Sequence, residues 1–102
     1  MDLTVVNNEA QHRYEARTGE TVAGYTVYQA TTSIIVIEHT EVDPVFEGHG
    51  IGSALVQGLL DDVRAKGQHK VLAVCPFVRT WLGKHHDYRD LVYGAEPSHV
   101  TD

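Results

Sequence analysis

Between Ile34 and Cys75 the chain passes through an apolar run, a proline, a glycine cluster, a helix-like repeat and a second apolar run. That order leaves few folds open. Ile34–Ile37 is continuously apolar, which suits a central strand covered on both faces. Asp43-Pro44 breaks it. From Ile51 onward the apolar positions Ile51, Leu55, Leu59 and Val63, flanked by Val56 and Leu60, repeat with helical period. Arg64 and Lys66 fall in the last turn, and Gly67 follows as a C-cap. The second apolar run is "KVLAVC" at 70–75. Strand, glycine loop, helix, strand is a βαβ unit; its two strands should be parallel and joined by a right-handed crossover.

The remaining segments arrange themselves around that unit. Residues 3–6 read as a short strand, "NNEAQ" at 7–11 as a turn, and residues 12–17 as a strand pairing back. Gly19 marks another turn. Residues 21–30 are rich in β-branched and aromatic residues, with Ala23, Tyr25 and Val27 on one face. After the unit, Pro76 opens a short helix with Phe77, Trp81 and Leu82 facing inward. "DYRDLVY" adds a further turn or two of helix, and the last eight residues, 95–102, are expected to fray. The expected fold is α/β (α+β): an antiparallel-to-mixed sheet with a central βαβ unit, one long helix and a short C-terminal helix, in one domain spanning 1–102.

Composition narrows the partners. No apolar run approaches a membrane span, and the N-terminus lacks the basic and apolar regions of a signal peptide. The one cysteine, Cys75, has no internal disulfide partner, which fits a reducing compartment; a cytoplasmic location is expected. A net charge of −6 argues against a nucleic-acid partner and is compatible with a cationic ligand such as an amine.

Gly48, Gly50 and Gly52 sit between the end of a buried strand and the start of a helix. Glycine is costly to order, so three together call for a reason. Helix N-termini carry free N–H groups and a partial positive charge, and glycines let that backbone close around an anion, usually a phosphate. The plain alternative is an ordinary glycine-rich turn. A Walker A loop is excluded because Ser53-Ala54 stands where Lys and Ser or Thr are needed. A dinucleotide fingerprint is excluded because Leu55 takes the third glycine position and Cys75-Pro76 ends the next strand.

The stretch "VDPVFEGHGIGSAL" resembles the acyl-CoA pyrophosphate loop of the GNAT acetyltransferase superfamily, whose pattern is Arg/Gln-x-x-Gly-x-Gly/Ala, often within V-x-P-x-x-R-G-x-G-I-G. Val42, Pro44, Gly48, Gly50, Ile51, Gly52 and Leu55 match; Glu47 departs from Arg or Gln and is expected to point away. "CPFV" and "KHHDYRDLV" resemble a short, single-domain GNAT-like group, with His85, Asp87, Tyr88, Asp90, Leu91 and Val92 matching and His86 in place of a proline. The resemblance covers roughly residues 3–93. Larger members insert a helix pair after the first strand. Here "NNEAQ" turns straight into the next strand, which would leave the acceptor side of the cleft open.

The resemblance implies acetyl-CoA, or CoA, as cosubstrate, lying where the two parallel strands splay apart. Backbone N–H groups of Gly48, His49, Gly50, Ile51, Gly52 and Ser53 would hold the pyrophosphate, and main chain at Thr40 and Val42 would pair with the pantetheine. Arg79 and Lys84 are candidates for the ribose phosphate, or plain surface charge. Cys75, ending the second parallel strand, is a core cysteine, an acid for the leaving thiolate, or the acetyl carrier itself. His39 is the candidate base, flanked by Glu38 and Glu41, with strand alternation placing Glu38 on the opposite face. Tyr88 touches the ligand or packs. Adjacent His85 and His86 do not share a helical face, so no metal is expected. The implied function is acetyl transfer to a primary amine, on a small molecule or a protein lysine or N-terminus. The rivals are a non-catalytic CoA-binding regulatory module and a phosphate-binding domain unrelated to CoA.

Overall fold

Five strands form one mixed sheet in sequence order: β1 (Thr4–Asn8), β2 (Arg13–Thr18), β3 (Thr21–Ala30), β4 (Ile34–Val42) and β5 (Lys70–Ala73). Neighbours from β1 to β4 are antiparallel, and β4 and β5 are parallel. Between β4 and β5 runs α1 (Ile51–Lys66); after β5 comes α2 (Pro76–Lys84) and a 3-10 turn at His86–Leu91. This is a computed structural model that describes residues 2–94 of the chain; the expected frayed tail lies outside the described residues.

The helical repeat read from the sequence is the buried face of α1: Ile51, Leu55, Val56, Leu59, Leu60 and Val63 all lie in the core. Each such side chain contributes roughly 1.5–3 kcal/mol when fully buried. Gly67 ends the helix in the left-handed region, its N–H donating to the Val63 carbonyl. Tyrosines fasten this face. Tyr14 Oη donates to Asp62 at 2.6 Å, and Tyr88 Oη to Asp61 at 2.6 Å. Gly58 lets α1 approach β1 closely: a Cβ there would meet Val5 Cβ at 2.7 Å.

Several expectations need correction, most for one physical reason. Both helices lie on one face of the sheet, where Trp81 of α2 reaches Ser53 of α1. The run Ile34–Ile37 is therefore covered on one face only: Ile35 and Ile37 are buried, while Ile34 and Val36 are half-buried. On β3 the helix-facing side carries Gly24, Thr26 and Tyr28, and Tyr25 and Val27 share the open face. Ala23 is buried too, at a bulge opposite Ala16 and Arg17. Phe77 does not face inward: it is 45% exposed, and Val78 joins Trp81 in the core instead. Asn7 and Asn8, expected in a turn, belong to β1; the turn is the 3-10 segment Glu9–Gln11. The strand expected over 70–75 ends at Ala73.

Candidate functional site

The two parallel strands pair only from Ile34 with Lys70 to Ile37 with Ala73. There β5 turns away. The N–H groups of Val74 and Cys75 both donate to the Ile37 carbonyl, at 2.9 and 3.0 Å, and α2 begins at Pro76. Strand β4 continues to Val42 with β3 as its partner. The Asp43 N–H donates to the Ala23 carbonyl at 2.9 Å, which fixes the alternation of the ladder. His39 and Glu41 then exchange bonds with β3, while the main-chain groups of Thr40 and Val42 turn to the side that β5 has left.

The glycine loop lies beside this edge. Gly48 and Gly50 have φ of 85° and 72°, the left-handed region that favours glycine. Gly50 is the N-cap of α1, and no side chain caps the helix. The first intrahelical bond is from Ala54 N–H to the Gly50 carbonyl, so the N–H groups of Ile51, Gly52 and Ser53 have no helical acceptor. Ser53 Oγ is occupied elsewhere, accepting from the Trp81 indole N–H at 2.8 Å. The Phe77 ring covers Gly52 so closely that a Cβ there would lie 2.8 Å from Cζ. Val42, Phe46, Gly50, Gly52, Ser53 and Phe77 contribute to the wall of a cavity of about 340 Å³ at this point. Glu47, expected to point away, is part of that wall as well.

The structure brings some candidates together and separates others. Val42, Gly48, Gly50, Ile51, Gly52 and Ser53 line one cavity; Thr40 and His49 are not in its wall, and His49 is exposed. Arg79 does not join them. Its Nη2 donates to the Val74 carbonyl at 2.9 Å, and it lines a different cavity with Leu72, Leu82 and Val92. Lys84 ends α2, exposed, and is not in the wall of the glycine-loop cavity.

Cys75 is only 4% exposed and sits at the N-cap of α2. Its thiol donates to Thr40 Oγ1 at 3.6 Å, and Thr40 Oγ1 lies 3.2 Å from Thr26 Oγ1. A thiol–hydroxyl–hydroxyl chain therefore crosses from the end of β5 through β4 to β3 on the helix side of the sheet. His39 is on the other side, 60% exposed, with Nε2 at 2.6 Å from Glu41 Oε1. The two candidate catalytic side chains, Cys75 and His39, thus do not meet. The expected alternation around Glu38 also fails. Val27 pairs with His39 and Tyr28 with Ile37, so Glu38 is an extra residue in a bulge.

Tyr88 packs: it is buried, and its hydroxyl bond to Asp61, with burial second, pushes its pKa up to about 12. His85 stacks on Trp81 at 3.6 Å between ring centroids and its Nδ1 meets the Trp81 carbonyl, while His86 Nε2 meets the Gly83 carbonyl. Among the described residues no three His, Cys, Asp or Glu side chains are placed to hold a metal ion. No described helix is long and apolar enough to cross a membrane. The Thr26–Thr40 link and the Phe77 wall were missed in the sequence. Their only signal is cross-strand register and helix orientation, which spacing along one segment does not carry.

Comparison with known proteins agrees with this fold. The fold matches a GCN5-like protein from Staphylococcus aureus, seen in solution, with 22% identity over 98% of this chain and 97% of that one, at a TM-score of 0.69. It matches the ribosomal-protein-alanine N-acetyltransferase of Brucella melitensis biovar Abortus at 14% identity over 99% and 96%, with a TM-score of 0.59. The ribosomal-protein-S18-alanine N-acetyltransferase of Escherichia coli aligns with 58% of this chain and 38% of its own length, at 20% identity and a TM-score of 0.53. No curated protein sequence matches the chain. A profile of the GCN5-related N-acetyl-transferase family matches residues 13–91, and the chain accordingly belongs to that family.

Proposed function

We propose that this protein transfers an acetyl group from acetyl-CoA to a primary amine. The observation that carries the reading is the uncapped start of α1, reached through left-handed Gly48 and Gly50, beside the bare main-chain edge of Thr40 and Val42. Free N–H groups at a helix N-terminus suit a pyrophosphate, and a bare strand edge suits the two amides of pantetheine. The thioester then falls where β4 and β5 separate. The amine lone pair attacks the thioester carbonyl, the tetrahedral oxyanion collapses, and the C–S bond breaks to release the CoA thiolate. The attacking nitrogen loses its proton to His39, which Glu41 orients at 2.6 Å. The thiolate takes a proton from Cys75 or from water. Positioning supplies most of the acceleration, since a thiolate is already a good leaving group.

A second reading, a CoA-binding regulatory module without chemistry, draws on one observation: Cys75 is buried and bonded to Thr40, on the opposite face of the sheet from His39. One experiment separates the readings. Calorimetry with CoA should show binding, and acetyl-CoA incubated with protein and a panel of amines should release CoA. Binding without release on any amine selects the module. No binding at millimolar CoA sinks both. Gly50→Val should abolish binding, because a β-branched residue resists the φ of 72° that the loop requires.

A further inference from the structure

On the open face of the sheet, next to His39 and Glu41, lies a cavity of about 310 Å³. Its walls include Arg13, Gly24, Tyr25, Glu41, Asp43 and Pro44. We propose that this cavity selects the amine acceptor, and that it takes an ω-amino carboxylate: a primary amine with an anionic group about 5–10 Å away, one to two strand spacings. The proposal rests on the acyl-transfer reading for the direction in which the amine points.

The argument starts from Arg13. Its Nε donates to Glu15 at 2.7 Å, and its guanidinium carbon lies 4.4 Å from the centre of the Tyr25 ring. Stacking on the ring and the bond to Glu15 hold the fork in one place. Among the described residues neither Nη nitrogen has a hydrogen-bond partner. A half-buried guanidinium held from behind, with its outer donors unused at a cavity wall, is made for a carboxylate. The local charge agrees. Glu15 is shared by Arg13 and Arg17, so two guanidinium charges face one carboxylate and one positive charge is left over. That surplus stands out in a chain of net charge −6.

The other end of the cavity has the opposite character. Glu41 uses Oε1 for His39, and Asp43 uses Oδ1 to accept from the Val45 N–H. Each keeps a second oxygen for an ammonium group. Register sets the separation of the two ends. Glu15, Tyr25 and Glu41 lie side by side across three strands, as do Arg13, Val27 and His39. The backbones of Arg13 and His39 are thus two strand spacings apart, ~10 Å, and the guanidinium leans back over Tyr25 to shorten the gap. An α-amino acid is too short to reach both ends, while ε-aminocaproate fits.

The test compares ε-aminocaproate with its primary amide, which has the same length and amine but no negative charge. Binding to CoA-saturated protein is followed by NMR titration, and acetyl transfer by CoA release. Charge-assisted bonds to the fork should favour the acid about tenfold or more in both measurements. Arg13→Gln, which still reaches Glu15 through its amide, should bring the ratio close to one. A wild-type ratio of one or below overturns the proposal, and this arm needs no variant. A ratio that survives Arg13→Gln overturns the assignment to Arg13. Selective binding of the acid without release of CoA from any amine supports the site and overturns the transferase reading instead.

Discussion

Glu15 is the strongest test of how this sheet is held together. Its side chain lies on the open face yet is 1% exposed, covered by its partners. Asn8 Nδ2 donates to Oε2 at 3.0 Å, Arg13 Nε to Oε2 at 2.7 Å, and Arg17 Nε to Oε1 at 2.9 Å. Burial alone would raise the carboxyl pKa. The bonds from Arg17, Arg13 and Asn8 reverse this and hold it at about 2, against 4.5 for a free side chain. At 1.36 kcal/mol per unit that difference is worth ~3 kcal/mol. Arg17 is 42% exposed, so solvent screens part of the interaction and ~1–2 kcal/mol is the figure to expect.

Because the folded-state pKa is depressed, the contribution is present in full above the unfolded value near 4.5 and fades as pH falls toward 2. Glu15→Gln keeps the shape and removes the charge. At neutral pH it should lose ~1–2 kcal/mol in urea unfolding and lower Tm by ~4–16 °C. By about pH 3 the gap to wild type should shrink to under half. A variant as stable as wild type at neutral pH refutes the energetic argument. A gap that does not narrow on acidification refutes the ionic one.

Two further substitutions probe close contacts. Gly58→Ala in a helix interior would ordinarily stabilise by about 1 kcal/mol, but here the new Cβ meets Val5 Cβ at 2.7 Å on a β-branched side chain that cannot swing aside. The expected result is a net loss on the order of 1 kcal/mol by chemical denaturation, and a rise in Tm would disprove the contact. Cys75→Ala should reduce turnover more than CoA affinity, with Cys75→Ser, which can still donate to Thr40, falling less. Wild-type kcat in Cys75→Ala would make the thiol a packing group only.

The fold was readable in the sequence because its main signals are local. The period of Ile51, Leu55, Leu59 and Val63, the break at Asp43-Pro44 and the cap at Gly67 depend on near neighbours, and each appears where expected. The errors lie where an answer depends on the layer above. Ile34–Ile37 looks buried on both sides because nothing in four apolar residues says how many helices will cover them. Phe77 satisfies the helical pattern of a core residue but serves as a lid over Gly52, a contact between segments far apart in the chain. Gly58 lacks a side chain because β1 packs against it, again a contact between distant segments.

The candidate site depends on a smaller detail still. In a regular strand His39 would share the face of Ile35 and Ile37 and point toward Cys75, while Thr40 would face away. The extra residue at Glu38 shifts the alternation by one. Thr40 now turns inward and accepts from Cys75, and His39 turns outward to Glu41 on the open face. A single bulge thereby exchanges the two residues next to the splay. It converts an apparent cysteine–histidine pair into two separate arrangements: a buried hydroxyl chain under the cleft, and an exposed histidine–carboxylate pair beside the cavity that Arg13 closes at its far end. Composition and spacing are the same with or without the bulge, so only the pairing register reveals on which side of the sheet His39 lies.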